Sequence, residues 1–102
     1  MHYAISADPS GSVIHFSDRF THADRAAFHQ ALSELSGLNE QAELVIDLAE
    51  VPFIDSSALG MLLLLRGDER LAGCKVILRG AQGQVLKLIE LTRFSEMFTI
   101  EP

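Results

Sequence analysis

Three consecutive residues, Asp55-Ser56-Ser57, place a carboxylate and two hydroxyls at the head of an apolar run that carries no charge from Ala58 to Leu65. Aspartate and serine are residue types that cap helices, because their side-chain oxygens accept the backbone N–H groups left free in a first turn. Those N–H groups and the helix dipole also favour negative charge. Two uses of the hydroxyls follow: one of them caps the helix, or one of them carries a phosphoryl group as a regulatory serine. A third use, Ser56 as the nucleophile of a small serine hydrolase with a histidine as base, meets several obstacles. The chain has no G-x-S-x-G elbow, no obvious oxyanion loop and little room for a substrate pocket.

The other residues with chemical potential are dispersed. His2, His15, His22 and His29 are spaced thirteen, seven and seven positions apart. That spacing pairs no two of them on one helical turn and brings no Cys or acidic pattern with it, so they read as surface residues and no metal or cofactor is assigned. Asp47 reads as a strand-end carboxylate reaching solvent. Cys74 is the one cysteine; it precedes an apolar strand and reads as small core filler in a reducing compartment.

Several elements must position these groups. Leu44-Val45-Ile46 and Leu48 have the length and β-branched content of a central strand buried on both faces. Pro52 ends that stretch, and the helix begins at Ser56. Tyr3 to Ala7 and Val13 to Phe16 flank the turn cluster Asp8-Pro9-Ser10-Gly11 and should pair antiparallel. Phe28, Ala31, Leu32 and Leu35 have helical spacing, with Gly37 as a stop. Lys75 to Leu78 is a further strand, Gln84 to Leu91 a further helix, and Phe94 to Ile100 a turn and short strand. Alternating strands and helices imply an α/β domain with a four- to five-stranded, mostly parallel sheet and about four helices, occupying residues 1–102. On the helix after Ser56, Gly60, Leu63, Leu64, Gly67 and Leu71 form one stripe, read as the core face. Ala58, Met61, Leu62 and Leu65 form a second stripe, which either another helix covers or a partner contacts.

The words VIDLAEVPFIDSSALGMLLLL closely resemble the STAS family, the domain of bacterial anti-sigma-factor antagonists. In that family an aliphatic strand ending in Asp-Leu leads to D-S-S/T-G-L-G at the start of a helix, and the first serine is phosphorylated. The resemblance assigns that role to Ser56, with Asp55, Ser57, Leu59 and Gly60 completing the motif and Ala58 where glycine is common. Near Asp18-Arg19-Phe20-Thr21 the family's G-x-L-D turn is altered: the glycine is missing and Thr21 replaces the acid. The resemblance implies a non-enzymatic regulator that binds an anti-sigma factor or serine kinase when unphosphorylated, is released by phosphorylation, and is reset by a phosphatase. It also admits a STAS subunit of a lipid-transport or stress-sensing complex without such regulation.

Charge narrows the partners. The net charge is −6, and up to Val51 eight acids stand against Arg19 and Arg25. Such a balance disfavours nucleic acid, whose non-specific binding depends on Lys and Arg. The uncharged run Ala58 to Leu65 is far shorter than the roughly twenty residues of a membrane span. The N-terminal residues lack the pattern of a signal peptide, so a cytoplasmic location is expected.

Overall fold

The computed structural model describes residues 1–8, 11–35 and 42–102, apart from the side chains of Asp8 and Arg70. Strand β1 (His2–Asp8) pairs antiparallel with β2 (Gly11–Ser17), and β3 (Glu43–Glu50), β4 (Lys75–Arg79) and β5 (Thr99–Glu101) follow in parallel, giving the order β1-β2-β3-β4-β5. Each parallel connection carries a helix: α1 (Arg25–Ser33), α2 (Ser56–Leu64) and α3 (Gly83–Leu91). The expected α/β sheet is therefore present. Three α-helices are described rather than four, and short 3₁₀ turns at His22–Asp24, Leu65–Gly67, Glu69–Leu71 and Phe94–Glu96 make up the remaining helical segments. Pro9, Ser10 and the proposed stop at Gly37 lie outside the described residues.

The period-2 geometry of strands sorts the sheet into two faces. Ile14, Phe16, Leu44, Ile46, Leu48 and Leu78 point to the helices and form the main core with Phe28, Leu32, Met61, Leu62, Val85 and Ile89. Phe16, Phe20 and Phe28 stack there with ring centroids 5.4–5.9 Å apart. On the opposite face Val13, Val45 and Ile77 lie side by side across β2, β3 and β4 as a separate small cluster. β3 is buried on both faces, which accounts for its nearly unbroken apolar sequence. Cys74 is half-buried against the main core, and burial and the nearby Glu43 carboxylate push its thiol pKa up.

One departure concerns α2. Ala58, Met61, Leu62 and Leu65, the stripe expected to meet another helix or a partner, are at most 2% exposed. They are the core face. Leu63 and Leu64 are 40% and 63% exposed, and a side chain added at Gly60 would meet only open space, so the stripe expected to pack on the sheet faces outward. Only Leu71 of that stripe is core.

Candidate functional site at the first turn of α2

The segment entering α2 is held from both sides as though it were a short strand. Ile54, fully buried, forms an isolated parallel bridge with Phe20, in which Phe20 N–H donates to Phe53 O and Asp55 N–H donates to Phe20 O. On its other side the Gln84 carboxamide takes the place of a neighbouring strand: Ile54 N–H donates to Gln84 Oε1 at 3.0 Å, and Gln84 Nε2 donates to Ile54 O at 2.9 Å. Gln82 Nε2 similarly donates to Ala49 O. The first turn of α3 thus fixes the loop that presents the Asp55-Ser56 pair.

Asp55 is the N-cap of α2, with Oδ1 accepting from Ala58 N–H at 2.8 Å. Its other oxygen, Oδ2, accepts from His22 N–H at 2.9 Å and lies 3.3 Å from His22 Nδ1. The Ala58 N–H chiefly, opposed by desolvation and reinforced by the His22 contacts, holds the Asp55 carboxyl below its ordinary pKa range. This settles the cap. Ser56 is the first helical residue rather than the cap; it is exposed, and among the described residues no protein group hydrogen-bonds the hydroxyl of Ser56 or Ser57.

The facing turn is built by Thr21, which accepts from Ala23 N–H while the Asp24 carboxylate accepts from Thr21 N–H at 2.8 Å, a reciprocal capping box. Thr21 is therefore a working cap. Asp18 adopts φ +72°, a left-handed conformation that glycine adopts freely and that Asp tolerates better than most residues. Asp18 thus supplies the left-handed conformation at the position where the resemblance leads one to expect glycine. Beside it, the Arg19 guanidinium lies 4.9 Å from the Phe53 ring centroid.

An apolar groove of about 360 Å³ runs between α1 and α2, lined by Phe28, Leu32, Met61, Leu64 and Leu65 among others. Along the outward side of α2, exposed Gly60, Leu63 and Leu64 follow Ser56. Leu59, the other member of the motif, is partly buried against the core. Among the described residues no histidine lies within hydrogen-bond distance of the Ser56 hydroxyl; His22 contacts Asp55 instead. The elements missed by sequence reasoning are His22 and Gln84, whose partners are distant in the chain and leave no local signal.

All four histidines are exposed, as their spacing suggested, and Asp47 reaches solvent, but two of these groups are paired: His15 Nδ1 lies 2.9 Å from Asp47 Oδ2 on the helix-free face, the face that carries no described helix. Arg79 Nη2 approaches the same oxygen at 3.6 Å. Burial works to raise the Asp47 pKa, but the Ala49 N–H, His15 and Arg79 outweigh it and hold the group below the ordinary range.

Comparison with known proteins adds three findings. The sequence model of the family described as "Mlab, STAS domain" matches residues 3–100. A STAS-domain containing protein of Pseudomonas aeruginosa is 30% identical over 95 residues, covering 93% of this chain and 92% of the relative. Among solved structures, an anti-sigma factor antagonist from Mycobacterium paratuberculosis superposes with a TM-score of 0.78 at 23% identity, covering 99% of this chain and 85% of that one. The anti-sigma factor antagonist SpoIIAA in its unphosphorylated form gives a TM-score of 0.60 at 18% identity, covering 97% and 86%. Among the described residues no helix is long and apolar enough to cross a membrane.

Proposed function

This chain belongs to the STAS-domain family, and from that premise we propose that it is an anti-sigma-factor antagonist that works by partner switching. In its unphosphorylated form it binds an anti-sigma factor or serine kinase; phosphorylation of Ser56 by a kinase supplying ATP releases it, and a phosphatase resets it. The observation that carries this reading is the exposed, unpartnered Ser56 hydroxyl on the first turn of α2, continuous with the exposed Gly60, Leu63 and Leu64. Relatives described as anti-sigma factor antagonists, one of them in an unphosphorylated form, support it.

The switch has a physical basis. A phosphoryl group adds about −1.5 to −2 charges at the edge of an apolar surface. Desolvating it in an interface costs on the order of several kcal/mol unless it is paired. About 2.7 kcal/mol is a hundredfold in affinity. The contact surface in this reading is the outward stripe of α2 and the adjoining groove, replacing the buried stripe.

The test is to recover the protein from cells with its bound partner and then measure that partner's affinity for three variants. Ser56→Ala and Ser57→Ala should bind like the unphosphorylated protein, and Ser56→Asp about a hundredfold more weakly, or about 2.7 kcal/mol. The cognate kinase with ATP should place phosphate on Ser56 in the wild type and in Ser57→Ala. Equal affinities for Ser56→Ala and Ser56→Asp, together with no phosphate at Ser56, would replace this reading with that of an unregulated STAS subunit of a larger complex.

A further inference from the structure

On the helix-free face, β1, β2 and β3 bring together three side chains that the switch does not use. Ser6 Oγ lies 3.2 Å from His15 Nε2, and His15 Nδ1 lies 2.9 Å from Asp47 Oδ2. We propose that Ser6 is an activated acyl acceptor, with His15 as its general base and Asp47 as the group that orients the imidazole, and that it takes a small acyl group from an activated ester.

The tautomer follows from the contacts. An ionised Asp47 can only accept, so His15 Nδ1 carries the proton and donates it, which leaves the Nε2 lone pair to receive the Ser6 hydroxyl proton. The Arg79 guanidinium, 3.6 Å from Asp47 Oδ2, and the Ala49 N–H, 3.0 Å from Oδ1, hold the carboxylate in place. Nucleophile, base and orienting group are thus linked in the order that activates a serine. The base is accessible, with 44% of the His15 side chain exposed, and Ser6 is exposed as well. In the strand register Ser6 faces Val13, the first member of the buried Val13-Val45-Ile77 row, so the hydroxyl stands at the edge of an apolar cluster.

In the reaction, Ser6 Oγ attacks the acyl carbonyl carbon as its proton passes to His15 Nε2. The carbon–oxygen bond to the aryl oxide then breaks, the aryl oxide leaves as the anion, and the proton on His15 Nε2 passes to solvent. The acyl group moves from one oxygen to another without redox change. Ser6 lies within a strand rather than at a strand-to-helix elbow, the feature that supplies hydrolases with an oxyanion hole. The expected outcome is therefore stoichiometric acylation and not turnover.

The probe is p-nitrophenyl acetate, with nitrophenolate release followed by absorbance and the adduct located by peptide mass spectrometry. The wild type should take a single acetyl group on Ser6 with a matching burst of nitrophenolate. Ser6→Ala should lose both. His15→Gln should slow acetylation of Ser6 by about a hundredfold, and Asp47→Asn should slow it as well. If Asp47→Asn weakens the fold through the lost Arg79 contact, the exposed His15→Gln variant, checked by circular dichroism, carries the test. Acetyl found only elsewhere, a Ser6 adduct formed equally fast in His15→Gln, or a burst unchanged in Ser6→Ala would overturn the proposal; the last result would mean that imidazole alone reacts with the ester.

Discussion

Asp55 joins two chain segments through one carboxylate, capping α2 through Ala58 N–H and tying the turn at His22 to it. Its pKa is lowered in the fold, so the stability it contributes is present above the unfolded carboxyl pKa of about 3.9. That contribution is lost as pH falls through the lower folded value. Asp55→Ala should lower the melting temperature at neutral pH. Asp55→Asn, which keeps an oxygen for Ala58 N–H, should recover part of that loss, and both variants should lose less stability on acidification than the wild type. Thermal scans from neutral pH down to about pH 3 check this; Asp24 and Asp47, also shifted down, keep some acid sensitivity in place. The helix start at Asp55-Ser56-Ser57 was legible because capping is a local matter of residue type. The choice of Asp55 over the serines as cap was not, because it depends on which oxygen reaches Ala58 N–H. The His22 contact was equally hidden, 33 positions away.

At the scale of elements, α2 shows where periodicity stops being informative. Ala58 to Leu65 is apolar almost all round, so the sequence holds little contrast between faces, and tertiary packing alone chooses which side meets the sheet. The structure buries Met61 and Leu65 and leaves Leu64 outside. Met61→Asp or Leu65→Asp should therefore unfold the protein or destabilise it by several kcal/mol, on the order expected for an unpaired buried charge. Leu64→Asp should change stability by no more than about 0.5 kcal/mol. Urea denaturation separates the two classes, and a cooperative, wild-type transition for Met61→Asp would contradict the burial. In the partner-switching reading, Leu64→Asp should weaken the partner by about 2 kcal/mol or more. Gln84 acts between elements: Gln84→Leu strands the N–H and carbonyl of the buried Ile54 and should cost about 2 kcal/mol or more in the same denaturation measurement.

For the whole molecule, the alternation of strands with helices announced a mostly parallel sheet, and the buried character of Leu44 to Leu48 located its centre. What the order of residues could not announce was the cross-strand row. Ser6, His15, Asp47 and Arg79 come from four different strands, and each looks unremarkable until register aligns them. The fold thereby separates two sets of polar groups. The Ser56 turn stands at the entry to α2, whose apolar stripe packs on the helix-bearing face, while the Ser6 chain lies on the other face with the β-sheet between them. The two hydrogen-bond sets meet at the backbone of Ala49, which donates its N–H to Asp47 and accepts from Gln82, but Ser56 and His15 themselves have no hydrogen-bond partner in common. Effects at separated sites without common partners add to within about 0.3–0.5 kcal/mol. Ser56→Asp should therefore leave the rate of Ser6 acetylation unchanged, and His15→Gln should leave partner affinity unchanged. The double variant should show both single effects undiminished, measured by nitrophenolate burst and partner titration on the same preparations. A coupling beyond that margin would mean that the sheet transmits a change from one face to the other, and the β3–Ile54–Gln84 connection would be the first place to seek it.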